Sequence, residues 1–78
     1  MNDSEFGTIK LHLKELMEER NLSLTKLSFR AEMQRTQLKH YYDEDIQRLD
    51  MAVLSRLCYA LNCTLNDLVE YIPPKESK

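Results

Sequence analysis

LTKLSFRAEMQRTQLKHYY, residues 24–42, decides the fold of this chain, because it holds two short helical patterns separated by a tight polar break. The first pattern predicts a helix over residues 24–31, and its inward residues would be Leu24, Leu27, Ser28 and Ala31. The second predicts a helix over residues 35–42 that packs Leu38 and Tyr41 inward. Two short helices joined in this way, the second with a polar outer face, are typical of a helix-turn-helix.

The segments on either side add three more predicted helices. Apolar spacing favours a helix over residues 9–20, although IKLHL also alternates with period two, so a short extended piece before a helix starting near His12 stays open. Asp50 is a good N-cap for a helix over residues 51–61. Thr64 and Asp67 form a capping-box pattern that opens the fifth helix, whose inward residues would be Leu65, Leu68, Val69 and Tyr71 or Ile72.

The polar ends of the chain bound a single domain. Residues 1–8 are expected to form a flexible N-terminal segment, residues 9–72 the domain, and residues 73–78, PPKESK, a flexible tail. Seventy-eight residues allow one small domain at most, and one Gly with two Pro favours helices over a turn-rich β protein.

Several classes of protein are excluded by the residues that are missing. Cys58 and Cys63 lack zinc-finger spacing and are expected to be reduced packing thiols, so no metal site is predicted. No Gly-rich phosphate loop or catalytic constellation occurs, which predicts no enzyme, no cofactor and no small-molecule ligand. The chain has no recognisable signal peptide or membrane-spanning segment, so we expect a cytoplasmic protein.

Basic charge is concentrated in the predicted helix-turn-helix. The net charge is −2, yet residues 20–40 hold five Lys or Arg residues against the single acid Glu32. Such a segment on an acidic protein favours either a docking face for nucleic acid or a solvated polar surface, and charge alone does not choose between them.

The outward residues of the second helix suit the edges of DNA bases. Arg35 can pair with guanine through two hydrogen bonds, Gln37 can do the same with adenine, and Thr36 can contact a thymine methyl. Lys39 and His40 can reach bases or phosphates. The candidates for DNA-backbone contacts are Ser23, Thr25, Lys26, Gln34, Tyr42 and Arg48, although packing is as good a role for Tyr42.

From Ile9 to Ile72 the sequence resembles the DNA-binding domain of phage repressors of the Cro and lambda-repressor type. The resemblance runs through LSLTKLSFRAEMQRTQLKHYY and LDMAVLSRLCYALNCTLNDLVEY, and the ending LCYALNCTLNDLVEYIPP is similar to small single-domain bacterial regulators of that group. It implies an all-α, five-helix bundle whose second and third helices form the helix-turn-helix. It also implies that Arg35, Thr36 and Gln37 meet base edges.

Two departures from the family pattern bear on the site. Glu32 occupies the turn position that usually holds Gly, which predicts either a strained left-handed residue or a slightly different turn. The loop after the third helix contains Asp43, Glu44 and Asp45, which would repel phosphates that they faced.

Two functions remain open at this point. The first is a sequence-specific transcriptional regulator, a repressor by steric logic, that binds double-stranded DNA as a homodimer. The second is a protein-interaction module of antitoxin-like or anti-repressor-like type that keeps the fold without specific DNA binding. The acidic composition, the acidic loop and the outward-facing Phe29 favour the second.

Overall fold

The computed structural model describes residues 3–75 as five helices and a small sheet. A 3-10 turn, Asp3–Phe6, precedes the first strand. The remaining elements are β1 (Thr8–Leu11), α1 (Leu13–Glu19), α2 (Leu24–Ala31), α3 (Arg35–Asp43), α4 (Met51–Leu61), α5 (Leu65–Leu68) and β2 (Val69–Ile72).

The predicted helix starts are confirmed by their caps. Ser23 Oγ accepts from the Lys26 backbone N–H at 3.1 Å at the start of α2. Asp50 Oδ1 accepts from the first-turn N–H of Ala52 at 2.8 Å at the start of α4. Thr64 and Asp67 form the predicted capping box at α5. These side chains satisfy donors that the first helical turn leaves without a backbone partner, which is why each helix begins where it does.

The expectation of an all-α, five-helix fold is confirmed only in part, because the domain has five helices but also holds a small two-stranded sheet. The fifth helix ends at Leu68, and Val69–Ile72 forms β2, which pairs antiparallel with β1 in the register Thr8↔Ile72 and Leu11↔Val69. Tyr71 and Ile72, one of which was expected in the core, are exposed. The run VEYI contains β-branched and aromatic residues, which fit an extended strand once a partner strand is available.

The alternative of an extended piece before the first helix is the one that the structure adopts. Residues of IKLHL form most of β1, and α1 begins after His12. Ile9 and Leu11 lie on the same face of β1, because side chains alternate along a strand. Leu11 is buried, whereas Ile9, which pairs with Tyr71, is exposed.

The hydrophobic core lies among the helices and the inner face of the sheet. Leu27 and Ala31 of α2, Leu38 and Tyr41 of α3, and Leu57 of α4 all face it, as the helical spacing predicted. Its other buried apolar residues are Leu11, Leu13, Leu16, Met17, Val53, Ala60, Leu61 and Leu68. Leu24 is half-buried and packs against this core, whereas the prediction that Leu65 faces inward was wrong, because Leu65 is exposed.

The predicted flexible segments are described only in part. Residues 1–2 and 76–78 lie outside the described residues. In the segment 1–8, the turn Asp3–Phe6 is joined to the sheet by a hydrogen bond of 2.6 Å from the Tyr71 hydroxyl to the Phe6 carbonyl oxygen. Residues 73–75 have no regular structure and are exposed.

Cys58 and Cys63 are free thiols that are partly buried against the core. Burial raises the pKa of the Cys63 thiol to about 11. Across residues 3–75, no group of His, Cys, Asp and Glu side chains could hold a metal ion. None of the helices that the structure describes is both long enough and apolar enough to cross a membrane.

His12 links the sheet to α1. Its Nε2 lies 2.6 Å from Glu70 Oε1 on β2, and its Nδ1 lies 3.5 Å from Glu15 Oε2. Its backbone N–H donates to the Leu68 carbonyl oxygen at 2.8 Å. The hydrogen bond with Glu70, aided by Glu15, raises the pKa of His12 above its usual value of 6.5.

This contact predicts a pH-dependent stability. Because folding raises the pKa of His12, its stabilising contribution is complete below pH 6.5 and is lost as the pH rises through the folded-state value. We expect Glu70→Gln to lower the free energy of unfolding more at about pH 5.5 than at about pH 8.5, a range in which histidine changes charge. Urea denaturation at both pH values measures this, with Glu18→Gln as a charge-matched control. An equal loss at both pH values would contradict the prediction.

Candidate nucleic-acid interface

The helix-turn-helix is formed by α2, the turn of residues 32–34, and α3. In the turn, the Met33 N–H donates to the Ser28 carbonyl oxygen at 3.0 Å, and the Glu32 N–H donates to that of Phe29 at 3.3 Å. Arg56 of α4 donates from Nη1 to the carbonyl oxygens of Ala31 at 3.1 Å and Glu32 at 3.0 Å. The turn is therefore fixed by α4 as well as by its own backbone.

Glu32 adopts the left-handed conformation, the first of the two alternatives that its position predicted, with φ 55° and ψ 49°. A residue with a Cβ atom is strained there by about 1–2 kcal/mol, whereas Gly is not. The positive φ is thus required by the turn even though this chain places an acidic residue in it.

Glu32→Gly should therefore stabilise the chain. We expect a gain of up to about 1 kcal/mol in the free energy of unfolding, because relief of strain exceeds the added backbone entropy of Gly in the unfolded state. Chemical denaturation measures the gain. Asn62→Gly is a matched control, since Asn62 has nearly the same φ of 53° but Asn tolerates it better and should gain less. A loss of stability in Glu32→Gly would contradict this prediction.

The third helix presents the polar face that the sequence predicted. Leu38 and Tyr41 are buried, and they hold α3 against the rest of the domain. No side-chain hydrogen bond within residues 3–75 involves Arg35, Thr36 or Gln37, so their polar atoms face solvent. The exposed residues of this helix are Arg35, Thr36, Gln37, Lys39, His40 and Asp43.

The remaining basic residues of α3 are already paired with one acid at the end of the helix and one just after it. Lys39 Nζ lies 2.8 Å from Asp43 Oδ2, one helical turn away. His40 Nδ1 lies 2.9 Å from Asp45 Oδ1. Asp43 and Asp45, two of the three acids that the sequence suggested would repel phosphates, therefore lie against the helix itself. Among the described residues, they divide its polar face into an unpaired first half and a paired second half.

The residues predicted to contact the DNA backbone lie in several places. Ser23, Thr25 and Lys26 lie at the start of α2, and all three are exposed. Ser23 also lines a groove of about 400 Å³ together with Tyr42, the half-buried residue near the end of α3. The structure thus brings Ser23 and Tyr42 together, which sequence order did not indicate.

The two other predicted backbone residues lie elsewhere. Gln34 is the exposed N-cap residue of α3, and its side chain makes no capping hydrogen bond. Arg48 lines a separate groove of about 490 Å³ beside β1, among apolar residues that include Phe6, Ile9 and Tyr71. The structure does not bring Arg48 to the groove of Ser23 and Tyr42.

Lys14 is a candidate that sequence reasoning missed. It lies on α1, lines the same groove as Ser23 and Tyr42, and its Nζ is 5.0 Å from the centre of the Tyr42 ring. The tyrosine face attracts the ammonium group and so positions a cation beside the start of α2. Helical periodicity identifies Lys14 only as a solvent-facing residue, because its partner lies in another helix.

A family model for the Cro/C1-type helix-turn-helix DNA-binding domain matches residues 12–74. This match covers α1 through β2 and includes every predicted base-reading residue. No curated protein matches the chain.

Proposed function

The chain belongs to the Cro/C1-type helix-turn-helix DNA-binding family, and from that premise we propose that it is a sequence-specific transcriptional regulator that represses by occupying an operator. One observation carries this proposal. α3 buries Leu38 and Tyr41 and leaves a continuous row of hydrogen-bonding side chains at the surface. A helix held by its apolar side and polar on its outer side is what the major groove of DNA accepts.

The unpaired half of α3 supplies the proposed base contacts. Arg35 would donate two hydrogen bonds to a guanine, and Gln37 would exchange two with an adenine. Thr36 would contact a thymine methyl or a neighbouring base edge. Lys39 and His40, further along the helix, would contact bases or phosphates after leaving Asp43 and Asp45.

The proposed backbone contacts surround this helix. Ser23, Thr25 and Lys26 would contact phosphates at the start of α2, where exposed N–H groups and the helix dipole favour anions. Lys14 would add a cation to that place. The other proposed backbone residues are Gln34, Tyr42 and Arg48.

Lys14 provides a test of this arrangement. We expect Lys14→Ala to weaken binding to all duplexes by a similar factor and to lower the slope of log K against log salt by about one, since it removes one phosphate contact. Fluorescence anisotropy at several salt concentrations measures both quantities. Lys75→Ala removes the same charge from the exposed segment after β2 and is the matched control. Equal behaviour of the two variants would contradict a phosphate contact by Lys14.

A homodimer on DNA is part of the proposal. One recognition helix reads few base pairs, and two-fold symmetry would place a second copy about one helical turn, roughly 10 base pairs, further along the DNA. Repression follows from steric occupation of the operator, which needs no additional activity in the chain.

Selection of bound duplexes from a random DNA pool, followed by sequencing, tests the proposal. We expect an enriched pseudo-palindrome whose half-site spacing gives the geometry of the dimer. Absence of any enrichment at low salt would contradict sequence-specific binding.

A second function is favoured by one observation, the exposure of two aromatic side chains. Phe29 on α2 is 78% exposed and Tyr59 on α4 is 85% exposed. Exposed aromatic residues are typical of protein interfaces, so a protein-interaction module is the alternative. Salt dependence separates the two functions. DNA binding should weaken steeply with added salt, whereas an interface centred on Phe29 should be much less sensitive, and Phe29→Ala should weaken it selectively.

A further inference from the structure

The last turn of α3 and the residues after it hold a set of close contacts between basic and acidic side chains. Lys39 pairs with Asp43 at 2.8 Å, and His40 pairs with Asp45 at 2.9 Å. The third acid, Glu44, lies 3.5 Å from Lys10 of β1. Every acidic residue of this loop segment therefore has a basic neighbour, and two of these neighbours belong to the helix proposed to enter the major groove.

The backbone determines where one of these acids lies. Glu44 ends α3 in the left-handed conformation with φ 58°. The Asp45 N–H then donates back to the His40 carbonyl oxygen at 3.1 Å, which brings residue 45 to the side of residue 40. This closure is a common way of ending a helix, and here it holds the Asp45 carboxylate against the His40 ring.

Helical spacing determines where the other acid lies. Lys39 and Asp43 are four residues apart, so their side chains lie on the same face of α3. The hydrogen bond to Asp43 raises the pKa of Lys39 and lowers that of the Asp43 carboxyl, so both groups are charged at neutral pH.

These contacts are exposed to solvent, so DNA phosphates could displace them. The Lys39 and His40 side chains are each 61% exposed, so water screens both pairs, and such surface pairs have only small effects on stability. A phosphate oxygen and a carboxylate oxygen need the same position on an ammonium group. A carboxylate left beside a phosphate after displacement would also repel it.

We propose that Asp43 and Asp45 act as internal substitutes for DNA phosphates, which occupy Lys39 and His40 in the free protein and lower its affinity for every duplex. This inference rests on the proposed DNA-binding function and identifies two acids that lower the affinity of the free protein for DNA. Between Arg35 and Asp45, two permanent cations face three acids, so this segment alone attracts no polyanion. Recognition then depends on the first half of α3, where Arg35, Thr36 and Gln37 have no internal partner within residues 3–75.

The test compares Asp43→Asn and Asp45→Asn with the unaltered chain. Asn keeps the shape of Asp and removes its charge. Glu19→Gln is the matched control, because it removes one charge from an acid that pairs with Arg20 outside the helix-turn-helix. We expect each Asn variant to bind a random-sequence duplex about two- to fivefold more tightly at low salt, with a steeper salt dependence. Glu19→Gln should change affinity less.

A double-mutant cycle separates the pair from general charge. If Asp43 acts through Lys39, the gain from Asp43→Asn should shrink in a Lys39→Gln background, whereas a general charge effect would be the same in both. Thermal unfolding of each variant verifies that it is folded.

Two outcomes would overturn the inference, and they are distinguishable. If the unaltered chain binds DNA and both Asn variants bind no better than Glu19→Gln, the acids do not compete and the proposed function stands. If no protein of the set binds any duplex at low salt, the proposed function fails and the inference fails with it.

Discussion

Leu38→Ala is expected to lower the free energy of unfolding by about 2–5 kcal/mol. Leu38 is fully buried and lies on the inner side of α3, directly between the exposed residues Gln37 and Lys39. Removing its side chain leaves a cavity beneath α3. Small domains have a total stability of about 5–15 kcal/mol, so this one substitution should remove a large part of it and abolish DNA binding as well. Urea denaturation followed by circular dichroism measures the loss.

Two variants make the result specific to burial. Gln37→Ala changes the neighbouring exposed residue of the same helix and should alter stability by no more than about 0.5 kcal/mol. Leu38→Met keeps the volume and the apolar character, and should cost less than about 1.5 kcal/mol. A loss below about 1 kcal/mol in Leu38→Ala would show that α3 is not held by this side chain.

Arg35→Ala should have the largest effect on recognition. We expect affinity for the selected duplex to fall by about 5- to 150-fold, equivalent to about 1–3 kcal/mol, because the variant lacks the guanidinium that we propose makes two hydrogen bonds to one base. Affinity for a scrambled duplex should fall much less, so the ratio of the two affinities should decrease. Fluorescence anisotropy with both duplexes at one salt concentration measures this ratio.

Arg35→Lys is the informative companion to that experiment. Lys keeps the positive charge but cannot donate the parallel pair of hydrogen bonds, so specificity should fall while affinity for scrambled DNA is retained. An unchanged ratio in both variants would remove Arg35 from the set of base-reading residues. Thermal unfolding should show little change, since Arg35 is exposed and has no side-chain partner within residues 3–75.

The sequence was sufficient to predict the helices whose signals are local. The bounds of α2 and α4 agree with the predicted residues 24–31 and 51–61. In both cases a capping side chain precedes an apolar pattern with helical spacing, and the two signals identify the same start. The inward direction of Leu38 and Tyr41 followed from the same spacing, and so did the exposure of the predicted base-reading residues.

The strand that follows the fifth helix could not be predicted from local signals. Leu65, Leu68, Val69 and Ile72 satisfy the spacing of a helix, so periodicity continued the fifth helix beyond Leu68. The strand conformation of Val69–Ile72 depends on hydrogen bonds to Thr8–Leu11, which are distant in sequence. Strand preference is governed by such neighbours more than by the residues themselves.

The finer features of the candidate site depend on contacts between elements. Lys14 meets Tyr42 only after α1 has packed near α3, and Arg56 reaches the turn only from α4. Asp45 meets His40 because Glu44 takes a left-handed conformation, which nothing in the identity of a Glu residue indicates. The sequence pattern does not indicate which of these side chains contact each other in the folded chain.

The pairing of β1 with β2 has consequences for how the chain folds. It brings together residues separated by 58 positions, as in the contact of His12 with Glu70. Closing so long a loop costs chain entropy before any contact compensates for it, so non-local pairing tends to form late. The contacts between α2 and α3, in contrast, are local. We therefore expect α3 to be ordered in the folding transition state while the two strands are still apart. Substitutions in the sheet should then accelerate unfolding and leave the folding rate nearly unchanged.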